Sequence, residues 1–491
     1  MNKLFFSLFL FYSSLALSQT QVNFDDYFID QTLRVDYYHT GDATNEVIAL
    51  DKIYKQGPWA GNPNSCIQPF ELGTYLVKVV DTLSGKTIYT KGYNSIFAEY
   101  QTIEPAFNGI KRTFHESVLI PCPRHSVKLI IEKRAKNNRL SPVFTSTIDP
   151  SDYHITTEAY KKQGDEVMVA AKNGNPHHCV DLVILGEGYT RNERDKFKKD
   201  LKHYSNLMLD FEPYKSYSNR FNISGIFAPS DESGTDEPRQ GIYRNTRFNS
   251  SFNTFDTDRY CLADDNKSIR DAAAVVPYDA VLIMVNKDRY GGGGIYNWQT
   301  VFATGSDKCD YVFLHEFGHA FAGLADEYYN SQVAYQDIFV PGVEPLEPNI
   351  TALLDTVSIK WAPYLSPGIK VPTEWGKAVF DSLNNQLNQA RAEMSSSIEK
   401  LKTSKVPESE IAATEKTYRD KIMNLSNQVD SFLFHHPLRD KVGVFEGANY
   451  LSKGYYRSSI NSMMQKFNTS DRSYGVVNDQ AIIATIKYYT E

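Results

Sequence analysis

The chain has 491 residues, 41% hydrophobic and 13% aromatic, which is too long for one ordinary core and too apolar for a disordered chain. A formal net charge of −7, from 59 acidic and 52 basic residues, argues against nucleic acid as a partner, because that partner rewards basic patches. The five cysteines (Cys66, Cys122, Cys179, Cys261 and Cys309) contain no CxxC pair and are odd in number, which argues against a disulfide framework, and buried thiols are expected.

The chain opens with Lys3, an apolar run from Leu4 to Tyr12, and the small residues Ala16 and Ser18 ahead of Gln19. This pattern predicts a signal peptide over residues 1–18. The run is shorter than the roughly 20 residues a bilayer span needs, and no later segment is a better candidate. The first cysteine is Cys66, so no lipid-anchor cysteine follows the cut. A secreted or periplasmic protein with no membrane span is expected.

Residues 19–160 read as strands and turns: TLRVDYYHT, EVIALDKIY, GTYLVKVVDTLSGKTIYT and HSVKLIIEKR alternate apolar and polar positions between turn residues. The expectation is an N-terminal β-sandwich domain with Trp59, Tyr75 and Tyr93 in packing roles. The polar stretch across residues 150–178 marks a boundary, and the second domain is expected over residues 161–491.

That domain begins with Val180–Gly186, a continuous apolar run suited to a buried strand. A helix capped by Thr190 follows, from Arg191 through Leu207, with Phe197, Leu201 and Tyr204 on one face. Next come a strand at Phe221–Ala228, an acidic loop holding Asp231, Glu232 and Asp236, a short helix near Ile269–Val275 and a strand at Ala280–Asn286. The acidic loop is either solvated or a site for a second cation such as calcium. Four glycines at 291–294 mark either a mobile tight loop or an edge where a peptide backbone comes close.

Residues 315–328, HEFGHAFAGLADEY, carry the chemistry. In a helix His315 and His319 stand four apart on one face, so two imidazole nitrogens can converge on one metal ion. Glu316 is placed to act as general base on a metal-bound water. Gly323 stops the helix one turn later, and Asp326 beyond the turn is positioned to be the third ligand, with Glu327 beside it. The expected cofactor is zinc.

Past Tyr328, apolar residues repeat at three and four from Phe380 to Leu401 and again from Ile411 to Phe432, with Pro407 opening the second run. An antiparallel helical hairpin is expected over about 376–432, either as a self-contained structural arm or as a wall beside a cleft.

HExxH, a glycine and a nearby third ligand resemble the metzincin pattern HExxHxxGxxH, although Gly323 lies one residue late and Asp326 stands where a histidine would. The chain is closer to the immunoglobulin A peptidase family, which it resembles in DLVILGEGYT (181–190), YGGGG (290–294), HEFGH with GLADEY, and GVFEGANYLSKGYYRSSINSMM (443–464). The resemblance implies an α+β fold, with the β-sandwich followed by a metzincin-like zinc peptidase domain that carries the inserted hairpin. It also implies a methionine turn at Met464 beneath the ligands. Some metzincins place an oxyanion-stabilising tyrosine two residues after that methionine, but this chain has Lys466 there. Tyr455, Tyr456 and Arg457 are then the candidates for that work, Tyr456 first. Glu446 is a further candidate third ligand, ranked below Asp326.

The function implied is hydrolysis of peptide bonds in protein substrates by a secreted zinc endopeptidase. Two alternatives stand beside it: an exported protein- or glycan-binding protein on a peptidase fold, and a zinc amidase acting on a non-peptide amide. Neither the substrate nor the oligomeric state follows from these residues.

Overall fold

The computed structural model describes residues 22–157, 164–329, 341–404, 406–465 and 473–491. The expected signal peptide (1–18), the expected boundary at 160/161 and Lys466 lie outside the described residues.

The N-terminal region is β-rich. A one-turn helix, α1 (Phe24–Tyr27), leads into β1 (Phe28–Gly41), β2 (Glu46–Lys55), β3 (Tyr75–Asp81) and β4 (Thr87–Tyr93). Two short helices, α2 (Ile96–Tyr100) and α3 (Glu104–Phe107), precede β5 (Arg112–Pro123), β6 (Val127–Arg134) and β7 (Leu140–Ile148). The strands form two antiparallel sheets, ordered β2-β1-β5 and β4-β3-β6-β7. Period-two alternation sets their faces: in β3, Tyr75, Val77 and Val79 are buried while Leu76, Lys78 and Val80 are half-exposed. The alternating segments of the sequence fall in β1, β2, β3–β4 and β6. In β5, Phe114, Glu116, Val118 and Ile120 keep the alternation, and it breaks at Ser117, which is buried on the opposite face, where its hydroxyl donates to Asp36 Oδ1 and accepts from Asn266 Nδ2. Trp59, Tyr75 and Tyr93 are buried in this region.

The next region is built on β8 (Glu166–Ala171), β9 (Val180–Glu187), α4 (Arg194–Leu209) and β10 (Phe221–Phe227). It continues with the two-residue strands β11 (Ser250–Ser251) and β12 (Leu262–Ala263), then α5 (Asn266–Ala273), β13 (Ala280–Val285), β14 (Gly292–Ile295), β15 (Gln299–Ala303) and α6 (Cys309–Ala322). One sheet runs β14-β15-β13-β9-β10-β8, with parallel central strands and an antiparallel strand at each edge. Every residue of β9 is buried, as a central parallel strand demands. A capping box between Thr190 and Glu193 starts the helical segment that becomes α4, which buries Phe197, Leu201, Tyr204 and Met208. The glycine run is neither a free loop nor a turn. Gly292–Gly294 belong to the edge strand β14, and β15 pairs with it.

The last region holds β16 (Ile350–Thr351), the helices α7 (Lys377–Thr403) and α8 (Glu408–Phe434), the strands β17 (Phe445–Ala448) and β18 (Leu451–Arg457), and α9 (Val476–Thr490). The strands form a small sheet ordered β16-β18-β17. α7 and α8 are the expected hairpin. Its seam is buried at the root, at Phe380, Leu387, Val429 and Leu433, whereas Met394, Ile398, Ile411 and Tyr418 farther out are half-exposed. The root packs on Trp375, Phe445 and Ile460. Among the described residues no helix is long and apolar enough to cross a membrane.

The chain is therefore α+β with a β-rich N-terminal region. Buried side chains of that region and of the six-stranded sheet form one continuous core. Tyr93 and Trp298 stack across the junction with ring centroids 6.4 Å apart, and the Asn94 amide donates to the Tyr296 carbonyl at 2.9 Å.

Candidate active site

The sequence CDYVFLHEFGHAFA of α6 is apolar on nearly every side, and eleven of its residues are buried, so the helix runs through the core rather than along a surface. Gly323 ends it in the left-handed region (φ 62°), with its amide donating to the His319 carbonyl at 3.0 Å. That turn sends the chain back past the helix end and brings Asp326 against the two histidines.

His315 Nδ1 donates to the Met463 carbonyl at 2.9 Å, and His319 Nδ1 donates to the Leu324 carbonyl at 2.6 Å. A carbonyl can only accept, so each ring presents an unprotonated Nε2 to the site when neutral. The two Nε2 atoms lie 3.1 Å apart, and Asp326 Oδ1 lies 3.1 Å from one and 3.3 Å from the other. Asp326 Oδ1 is buried with no hydrogen-bond partner, while Oδ2 accepts from the Tyr450 hydroxyl.

Three lone pairs facing one another in a buried site repel unless a cation sits among them. The edge of a tetrahedron around an ion with bonds of about 2 Å is about 3.3 Å, so the spacing of the donors suits such an ion. Without a metal the cluster would hold a proton instead. Burial opposes charge on His319, but Asp326 and Glu316 outweigh it and lift its pKa to about 9. Burial likewise opposes charge on Asp326, and the two histidines hold it well below the usual carboxylate range.

Glu316 lines the same cleft, which has a volume of about 280 Å³. β14 lies directly on this stretch of helix. A Cβ on Gly294 would sit 2.2 Å from the Glu316 carbonyl oxygen and 3.0 Å from His319 Cβ, and one on Gly292 would sit 2.8 Å from Val312 Cγ1. Gly293 faces the other way, where a Cβ would fall 2.5 Å from the Tyr260 ring. The glycines are thus required on both faces of the strand.

Met464 is fully buried, and its Sδ would lie 3.0 Å from a Cβ on Gly318. The Met464 carbonyl accepts from the Glu327 amide at 2.8 Å, so this turn passes beneath the ligand-bearing segments. Glu327 points away from the histidines. Its carboxylate accepts from Ser462 Oγ at 2.7 Å, Asn478 Nδ2 at 3.0 Å and Asn349 Nδ2 at 3.1 Å, and burial raises its pKa. Glu446 sits in β17 opposite Tyr456 and accepts from the Gly454 amide at 3.3 Å. Neither carboxylate joins the donor cluster; Asp326 does.

The structure places Tyr456 away from the cleft. Tyr456 lies in β18 and packs against the cluster around Trp361, Tyr455 packs with Ala325, Ile350 and Ala448, and Arg457 is buried with its guanidinium 4.5 Å from the Trp375 ring centroid. None of the three lines the cleft. The part of that sequence block that reaches it is the hairpin tip, where Asn449 (φ 49°) and Tyr450 (φ 67°) both take left-handed conformations. Their amides donate to the carbonyls of Asp326 (2.9 Å) and Tyr328 (3.0 Å), which hold this strained turn against the ligand segment.

Other wall residues carry no local signal in the sequence. Thr74, Asn94, Ala98, Glu99 and Thr102 come from the N-terminal region, and Arg259 and Tyr260 come from the long polar loop before α5. Among the described residues Asp231, Glu232 and Asp236 do not converge as a ligand group; each carboxylate accepts a hydrogen bond from Arg244 or Asn245 and so holds its own loop together. Among the described residues one further group of potential ligands comes close together, namely Asp36, Asp51 and His115. There Arg34 already neutralises Asp36, with its Nη2 at 2.8 Å. All five cysteines are unpaired and buried, and burial pushes the Cys66 thiol up to about 12 and that of Cys309 up to about 11.

Two families match the chain. Residues 168–486 match the family described as IgA Peptidase M64, and residues 23–145 match that described as Peptidase M64 N-terminus. No curated protein matches the chain. The first match alone spans the six-stranded sheet, α6, the hairpin and the methionine turn, and on that breadth the chain belongs to the IgA peptidase M64 family of metallopeptidases.

Proposed function

We propose that the chain is an exported zinc endopeptidase in which His315, His319 and Asp326 hold the metal and Glu316 is the general base. The observation that carries this reading is the convergence of two imidazole Nε2 atoms and one partnerless carboxylate oxygen at 3.1–3.3 Å, beside a second carboxylate in an open cleft. Zinc bound there would supply a Lewis acid that polarises the scissile carbonyl and acidifies a water.

Glu316 takes a proton from the attacking water and delivers it to the leaving amine. The Met463 and Leu324 carbonyls keep both histidines in the tautomer that binds metal. Tyr450 orients Asp326 through its other oxygen. Gly294 lies along the cleft on an edge strand, where an extended peptide can pair with backbone, which favours a peptide over a small amide. In this reading the two N-terminal sheets pack face to face as a sandwich. The signal-like residues 1–18 support export to the periplasm or the medium.

The test is Glu316→Gln. The variant is expected to keep about one zinc per chain by elemental analysis while losing roughly 10²-fold or more in kcat on a peptide, since removal of a general base costs about that much. Turnover near that of the unaltered enzyme would remove Glu316 from the mechanism.

A further inference from the structure

With Tyr455, Tyr456 and Arg457 turned away from the cleft, the group that steadies the reacting carbonyl oxygen has to come from elsewhere. Arg259 is the sole lysine or arginine among the described residues that line the cleft. Its position is built from three directions. Its carbonyl accepts from the Gly292 amide at 3.3 Å and the Cys261 amide donates to the Gly292 carbonyl at 3.2 Å, so residues 259–261 run as a short added strand along the start of β14. Its Nη2 donates to the Tyr328 hydroxyl at 3.1 Å, which ties it to the segment just past Asp326. Tyr290 lies beside the same guanidinium, and the carboxylates of Asp326 and Glu316 are within electrostatic reach of this cluster.

A guanidinium has five N–H donors in a rigid plane, more than one tyrosine hydroxyl can use. The Tyr450 hydroxyl, another polar group of the cleft, is already directed to Asp326. A fixed cation on a strand that borders both β14 and the ligand segment is preorganised to meet negative charge as it develops on a substrate carbonyl.

We infer that Arg259 is a catalytic residue of the peptidase reaction, donating N–H groups to the scissile carbonyl oxygen and stabilising the tetrahedral alkoxide. In that step the water oxygen bonds to the carbonyl carbon, the water proton passes to Glu316, and the C=O π pair moves onto the oxygen facing Arg259. The pair then returns to re-form the carbonyl, the C–N bond breaks, and the leaving nitrogen takes the proton from Glu316. Arg259 neither gains nor loses a proton. The assignment rests on the functional reading above and deepens it.

The experiment compares the unaltered enzyme with Arg259→Ala and Arg259→Lys on a short fluorogenic peptide, with zinc content measured for each protein. Arg259→Ala is expected to lower kcat by about 10²-fold, the usual cost of losing an oxyanion donor, with KM nearly unchanged and zinc retained. Arg259→Lys should recover part of the rate, and added guanidine hydrochloride at non-denaturing concentration should partly rescue the alanine variant. A readout independent of turnover is the affinity for a phosphinic peptide that mimics the tetrahedral state. It should fall by a similar factor in Arg259→Ala, while binding of the matching uncleaved peptide, measured in the Glu316→Gln background, stays constant. A loss confined to KM, a loss seen only with substrates bearing an acidic side chain, or a loss of zinc would each overturn the assignment. If the unaltered, zinc-loaded enzyme cleaves no peptide, the functional reading itself fails and the assignment falls with it. If the unaltered enzyme cleaves and Arg259→Ala matches its kcat, only the assignment fails.

Discussion

Two clusters in this molecule use the same residue types for opposite ends. In the N-terminal region His39 is buried between two glutamates, with Nδ1 3.0 Å from Glu116 and Nε2 3.0 Å from Glu46. Tyr75 and Lys133 complete the shell around Glu46. Burial opposes charge on His39, but the carboxylate on each ring nitrogen raises its pKa and favours an imidazolium. Such a ring has no lone pair to give. In α6 each histidine spends Nδ1 on a carbonyl and keeps Nε2 for the site, and the nearby carboxylate has one oxygen with no partner. Histidines and carboxylates together therefore do not make a metal site; what occupies the second ring nitrogen decides it.

Replacing one carboxylate of the α6 cluster should break the contrast most completely. Asp326→Ala leaves two imidazoles without the anionic donor, and the purified variant is expected to have lost most of its zinc by elemental analysis and, with it, its peptidase activity. Unchanged zinc would transfer the third-ligand role to another carboxylate.

The mirror experiment is His39→Leu, which should leave zinc content intact and instead destabilise the fold. Removing one partner from a buried charged group costs about 3–5 kcal/mol, read as a lower denaturation midpoint. The pH dependence follows from the directions of the shifts. A raised histidine pKa gives stability that is fully present below the unfolded value near 6.5 and is lost as pH rises through the folded value. Glu46, held at about 2 against an ordinary 4.5 by its partners despite burial, gives stability that is present above 4.5 and lost as pH falls toward 2. The unaltered chain should therefore lose stability from pH 6 to pH 9 more steeply than His39→Leu, and equal slopes would show that His39 is neutral in the fold.

The smallest effect belongs to the supporting hydroxyl. Tyr450→Phe removes the hydrogen bond to Asp326 Oδ2 without touching the donors, so zinc affinity in competition with a chelator should weaken by about 10–100-fold, the range found for lost outer-shell partners. An unchanged affinity would mean that backbone contacts alone orient Asp326.

What the sequence made legible follows the distance over which each feature is specified. His315, Glu316, His319, Gly323 and Asp326 lie within twelve positions of one another, and their geometry follows from helix periodicity and one left-handed turn. The α7–α8 hairpin was legible for the same reason, since its repeat is local. Tyr450 and Arg259 reach the cleft through the tip of β17–β18 and through an irregular loop, and no local period marks either position. Tyr456 is near the methionine turn in sequence, but in β18 it packs with the Trp361 cluster. The N-terminal wall of the cleft was invisible for a related reason: Asn94 and Glu99 are ordinary polar residues until the β-rich region docks on Tyr296 and Trp298.

β14 also limits what this site can tolerate. Where a helix usually rests on a sheet, a layer of interleaved side chains lies between them and can repack after a substitution. Between β14 and α6 that cushion is missing at Gly292 and Gly294, and backbone meets helix directly. The strand therefore works as a spacer gauge: the seating of the helix against the sheet edge is set by hard contact rather than by an adjustable filling. Such a gauge is accurate because it does not yield, and a single added methyl group at Gly294 would displace the helix that carries the reacting groups instead of being absorbed around them.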